Sequence, residues 1–158
     1  MSETKFHMRR KDREITDSAK IQEIIKKATV CRLGLIDDEG AYIVPVNFGY
    51  KDNCLYFHSA LKGHKVELLR KNQRVCFEIE GDYNVIKTAT SGCDVNYQSI
   101  LGRGTAHFVE DNEEKTHGLK AIMRQCTGSE YEIKPGRLNT VLIIRIDIDS
   151  MTCKQAGF

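Results

Sequence analysis

The sequence predicts a mainly β domain, with about six antiparallel strands closed into a barrel and helices at its periphery. Short runs rich in β-branched and aromatic residues occupy 30–36, 42–50, 54–58 and 74–80. Between them, Asp37-Asp38-Glu39-Gly40 and Lys51-Asp52-Asn53 are hairpin-length connections, so the first three strands are expected to form an antiparallel meander. Strands joined in this way do not alternate with helices, which argues against a parallel doubly wound sheet. Closing the sheet also removes the edges that six apolar strands would otherwise expose.

Residues 1–14 read as an N-terminal arm. Its basic residues Lys5, Arg9, Arg10, Lys11 and Arg13 are interrupted by Asp12 and Glu14, which suits a solvated segment or the neutralisation of an anionic ligand. A helix follows, because Ile21, Ile24, Ile25 and Ala28 recur at helical spacing and Thr16, Asp17 or Ser18 is available to cap it. The four strand runs come next. Pro45 has no N–H for a ladder, so the second run should lie at an edge, a bulge or an opening.

A short helix is expected from about 63 to 71, with Val66 and Leu69 facing inward. Residues 81–97 show no clear period and read as a surface loop leading into a long strand over 98–109. The run Asp111-Asn112-Glu113-Glu114 opens another helix, marked by Leu119, Ile122, Met123 and Cys126. A closing strand over 140–148 carries an apolar face of Leu142, Ile144, Ile146 and Ile148.

Composition narrows the function. The 158 residues are 41% hydrophobic and 29% charged, suiting one globular domain over 1–158. Lys and Arg number 24 against 22 Asp and Glu, a net charge of +2, too balanced for a nucleic-acid footprint. No apolar run reaches the roughly 20 residues of a membrane span, and residues 1–6 lack a signal core, so a cytoplasmic protein is expected. The six cysteines, at 31, 54, 76, 93, 126 and 153, have no CxxC pair and no histidine at ligand spacing. A metal site is therefore not expected. Cys31 and Cys76, set within apolar runs, should pack as small hydrophobes.

The segment Phe57-His58-Ser59-Ala60-Leu61-Lys62-Gly63-His64-Lys65 carries the most chemistry. A strand ending in a hydroxyl runs through a Gly-bearing turn into a helix start with cationic side chains. Hydroxyl, free N–H and ammonium are the groups that a phosphate ester requires. The GxxxxGK[ST] pattern is absent. Ser59 as a helix cap and Lys65 as a solvated charge remain open readings.

With these runs in place, the chain resembles the FMN-binding split β-barrels of the pyridoxamine 5′-phosphate oxidase-like superfamily, most closely the 5-nitroimidazole resistance subgroup. The resemblance rests on Arg32-Leu33-Gly34-Leu35-Ile36, Tyr42-Ile43-Val44-Pro45-Val46-Asn47-Phe48-Gly49-Tyr50, Leu55-Tyr56-Phe57-His58-Ser59-Ala60 and the run from Gly63-His64-Lys65 to Val75-Cys76-Phe77. It extends to Tyr97-Gln98-Ser99-Ile100-Leu101-Gly102-Arg103-Gly104 and Glu113-Glu114-Lys115. It departs at Cys153, where relatives often carry Gly.

The resemblance implies FMN at a homodimer interface. Pro45, Val46, Asn47 and Phe48 would lie along the isoalloxazine, and Ser59, His64 and Lys65 would meet the phosphate. Tyr97, Gln98 and Ser99 would come from the partner or border the same cleft. It also implies an oxidoreductase that passes electrons from NAD(P)H to a small organic acceptor such as a nitroimidazole-like nitro compound. No catalytic residue stands out.

Plain structural roles remain open for several of these residues: core packing for Phe48, a turn bond for Asn47, a structural histidine at His58 and cross-strand pairing for Tyr97 and Ser99. Two other functions also remain open. One is a flavin-binding module without turnover. The other is a haem-binding or haem-degrading split barrel using His58, His64 or His107.

Overall fold

The computed structural model describes residues 8–158 apart from 89 and 91; Lys5 lies outside the described residues. Each element follows from its local sequence. A short strand, β1 (Glu14–Ile15), precedes helix α1 (Ser18–Lys27). Asp17 caps α1 by accepting from the Ala19 N–H, and Ile24 and Ile25 are its buried face. Strands β2 (Val30–Asp37) and β3 (Gly40–Asn47) form a hairpin in full register from Val30↔Asn47 to Asp37↔Gly40.

The chain then turns at Phe48 into β4 (Gly49–Lys51), which pairs with β5 (Cys54–Ser59). Helix α2 (His64–Lys71) follows, then β6 (Arg74–Ile86), β7 (Asp94–Phe108), helix α3 (Asn112–Thr127) and β8 (Leu142–Ala156). Val66, Leu68 and Leu69 are the buried face of α2.

Every strand pairing is antiparallel, and the sheet runs β3-β2-β6-β7-β8-β5-β4 with β1 added beside the far end of β8. The two ends of this path, β3 and β4, are consecutive in the chain and joined only through Phe48, which is fully buried. The barrel is therefore closed by a bent strand and not by a ladder at that seam. Its interior is filled by Leu33, Phe48, Phe57, Phe77, Ile79, Ile100, Ile144 and Ile146. A smaller apolar cluster of Tyr56, Leu119, Ile122 and Ile143 lies outside the barrel, beneath α3.

The structure corrects several expectations. The 42–50 run is two strands, so the first three runs do not form a meander: β3 ends the path on one side, and β5 sits near the other. Together with β1, this split raises the strand count to eight. Residues 81–97 are mostly a hairpin extension of β6 and β7, with Tyr83↔Tyr97 and Val85↔Val95 in register beyond an irregularity at 80–83. Its strands have exposed residues on both faces, so no apolar alternation marks them.

The closing strand continues past 148 to Ala156, bent where the register against β7 shifts between Arg103 and Gly104. Cys31 and Cys153 are buried, but Cys76 is exposed, because the alternation of β6 that buries Val75 and Phe77 turns the residue between them outward. Pro45 does lie on the terminal strand of the sheet path.

Candidate functional site

The junction of β5 with α2 brings three of the expected residues together. Ser59 ends β5 and is buried, and its hydroxyl has no hydrogen-bond partner among the described residues. Gly63 precedes α2 with φ +139°, a conformation that suits glycine. The first backbone bonds of the helix run from the Val66 and Glu67 N–H groups to the Gly63 carbonyl. The N–H groups of His64 and Lys65 are left at the open end.

Lys65 Nζ lies 5.9 Å from the Phe57 ring centroid. Burial holds its pKa below the usual lysine value, and no carboxylate pairs with it among the described residues. An unpaired hydroxyl, an unpaired and partly desolvated ammonium, and free helix N–H groups form a cradle for an anion. His64 is tied to the β2–β3 hairpin, its Nε2 3.3 Å from Asp37 Oδ2 and its ring 4.9 Å, edge-on, from that of Tyr42. The hydrogen bond from His64, followed by backbone donors, holds the Asp37 pKa below the usual carboxylate value.

The remaining expected residues divide by strand alternation. Register places Pro45, Arg32, Glu78, Leu101 and Thr152 side by side on the outer face of the sheet, with Asn47, Ser99 and Lys154 two residues along. Tyr97 shares that face by alternation, its hydroxyl accepting from Arg13 Nη1 at 3.2 Å. Arg13 and Lys154 hold the Tyr97 pKa below the usual phenol value against the opposing effect of burial.

Val46, Phe48 and Gln98 face the interior. Gln98 Oε1 accepts from the Asp82 N–H at 3.4 Å. Asn47 Nδ2 donates to the Thr29 carbonyl at 3.0 Å. For Val46, Phe48 and Gln98, therefore, only the backbone faces an external ligand. The outer face is also apolar in places: Ile36 is 70% exposed and Ile43 67%, and Val30 and Leu101 are exposed elsewhere on it.

A cavity of about 750 Å³ opens on the other side of β5, between α3 and residues 132–140, and His58 forms part of its wall. Burial, then Arg137 and Lys65, depress the His58 pKa below the ordinary histidine value. Leu119, Ile122, Met123, Ile133, Lys134 and Arg137 line the same space. Of these, α3's apolar residues were legible only as a helix face. Lys134 and Arg137 carry no local signal, since they join His58 in the cavity wall only through the tertiary fold. No helix among the described residues is long and apolar enough to cross a membrane.

Comparison with known proteins places this geometry in context. The family described as pyridoxamine 5′-phosphate oxidase matches residues 17–155. The crystal structure of a candidate 5-nitroimidazole antibiotic resistance protein from Bacteroides thetaiotaomicron is 35% identical, covering 90% of this chain and 86% of its own, with a TM-score of 0.81. A FAD- and haem-binding protein of Mycobacterium smegmatis shares the fold at 16% identity and a TM-score of 0.80, covering 92% and 74%. A FAD-binding protein of Mesorhizobium loti does so at 19% and 0.67, covering 92% and 98%.

Proposed function

The chain belongs to the pyridoxamine 5′-phosphate oxidase family, and from that premise we propose that it binds FMN and works as an oxidoreductase on a small organic acceptor. The observation that carries this reading is the β5–α2 junction, where Ser59, Lys65 and the first N–H groups of α2 present donors that no acceptor among the described residues uses. His64, braced by Asp37 and Tyr42, adds a further donor beside them. In this reading the backbone of 45–48 would carry the isoalloxazine, and Tyr97, Gln98 and Ser99 would border the cleft across a homodimer interface. The exposed apolar residues of the outer sheet face, Ile36 and Ile43 foremost, support that mode of pairing.

A bound flavin supplies hydride and electron transfer; the protein positions it and shields one face of the ring. The reductant in this reading is NAD(P)H, and the acceptor is a small molecule of the nitroimidazole kind. The flavin-bearing neighbours of the same fold, both FAD-binding, support flavin in general, and the cradle suits the phosphate of a flavin nucleotide, which this reading assigns to FMN.

The test compares FMN with riboflavin, which lacks the phosphate. Replacing Ser59→Ala together with Lys65→Ala removes charge-assisted contacts worth about 1.5–3 kcal/mol, so FMN affinity should fall about tenfold or more. Riboflavin affinity should be almost unmoved. Equal losses for both would put the phosphate elsewhere. Failure of both NADH and NADPH to reduce the bound flavin anaerobically would remove the nicotinamide step.

A further inference from the structure

A side chain of α3 reaches the corner on which Asn47 hangs. The last carbonyls of a helix have no partner within it. At the end of α1 the Ala28 N–H bonds the Ile25 carbonyl at 3.2 Å, and the half-buried Gln125 of α3 adds the rest. Its Nε2 donates to the Ile25 and the Ala28 carbonyls, each at 2.6 Å. A primary amide has two N–H groups, so both are spent on this corner. The next carbonyl along the chain, that of Thr29, accepts from Asn47 Nδ2 at 3.0 Å, and the following residue, Val30, is the register partner of Asn47. The turn from α1 into β2 is therefore bonded by α3 at Ala28 and by β3 at Thr29, one peptide apart. A carbonyl only accepts, so Asn47 must turn Nδ2 toward Thr29. Its side chain makes no other bond among the described residues, which leaves Oδ1 as an acceptor for a ligand.

We infer that Gln125 is a positioning residue: by holding the Ile25 and Ala28 carbonyls it sets the Thr29 carbonyl, and through it the end of the Asn47 amide that a ligand on β3 meets. This deepens the flavin reading and rests on it for the identity of that ligand, whereas the clamp acts within the protein alone. Donation, not bulk, is the operative property, because two carbonyl oxygens face the Gln125 amide. Gln125→Glu keeps the shape but sets a carboxylate against those oxygens. Gln125→Met keeps the length and donates nothing. Gln125→Lys restores donors, and a cation suits the C-terminal end of a helix.

The first readout is the NMR signal of the Asn47 side-chain amide in the full-length, flavin-free protein, assigned by its loss in Asn47→Ala. Gln125→Glu and Gln125→Met should shift this signal and speed its exchange with water about threefold or more, the scale of a neutral hydrogen bond. Gln125→Lys should bring it back toward the parent. The second readout is flavin affinity. In the Met variant FMN and riboflavin should weaken together, by about threefold to tenfold, because Asn47 belongs to the strand assigned to the ring and not to the phosphate cradle. An Asn47 amide unmoved by Gln125→Met, a Lys variant as disturbed as the Met one, flavin affinities that stay unchanged, or a loss confined to FMN would each overturn the inference. A parent protein that binds neither flavin, with Asn47 responding to Gln125 as described, would sink the flavin reading and leave the clamp standing.

Discussion

Among the described histidines, His64, His107 and His117 each stand beside an aspartate, respectively Asp37, Asp147 and Asp52. His58 instead feels burial and the charges of Arg137 and Lys65. All three disfavour its protonated form. A folded-state pKa below the unfolded value means that the unfolded chain takes up the proton first. The linked loss of stability begins as pH falls through the unfolded value and is complete below the folded one. Proton NMR of the His58 ring should show a midpoint below that of free histidine, moving upward in Arg137→Gln; a midpoint at or above the free value would contradict the placement of Arg137. Alternation in the sequence already set His58 opposite to Phe57. What faces it was not legible, because Arg137 lies far along the chain and reaches it only after α3 has docked.

That docking is an element-scale fit. Helix α3 starts where Asp111 accepts from the Glu114 N–H, as its sequence suggested. It rests so closely on the barrel that a Cβ added at Gly49 would come within 2.3 Å of the Ala121 backbone. One at Gly118 would meet the Tyr56 ring at 2.8 Å. Gly49→Ala should therefore push α3 off β4, lowering stability by about 1–3 kcal/mol and loosening the cavity that α3 floors. Denaturant unfolding measures this; an unchanged midpoint would mean that α3 is not seated on β4. Helix periodicity made Leu119 and Ile122 readable in advance. The break at Phe48 was not, since Phe48 continues the apolar run on both sides and only its burial at the barrel seam distinguishes it. The 81–97 hairpin was missed for the converse reason: strands exposed on both faces leave no alternating pattern.

At the scale of the whole molecule, the outer sheet face connects the fold to the proposed pairing. It gathers Ile36, Ile43, Val30 and Leu101 with Pro45 and Asn47, residues far apart in sequence whose common face follows from register. A dimer that covers this face is predicted to become monomeric in Ile43→Glu, as sedimentation equilibrium would show. Cys76, exposed on the same face of a single chain, should react slowly with thiol reagents in the parent protein and quickly in the variant. A monomeric parent with a reactive Cys76 would place the interface elsewhere. The barrel class was legible because hairpin-length turns and β-rich runs are local signals. The closure at Phe48 and the eight-strand order are global, and no segment declares them.

Flavin binding is tested most directly by the visible absorption spectrum of the purified protein, recorded before and after FMN is added and the excess removed. Two flavin bands, retained by the parent and weakened by Ser59→Ala with Lys65→Ala, are expected. A Soret band, or a colourless protein that retains no FMN, would contradict it.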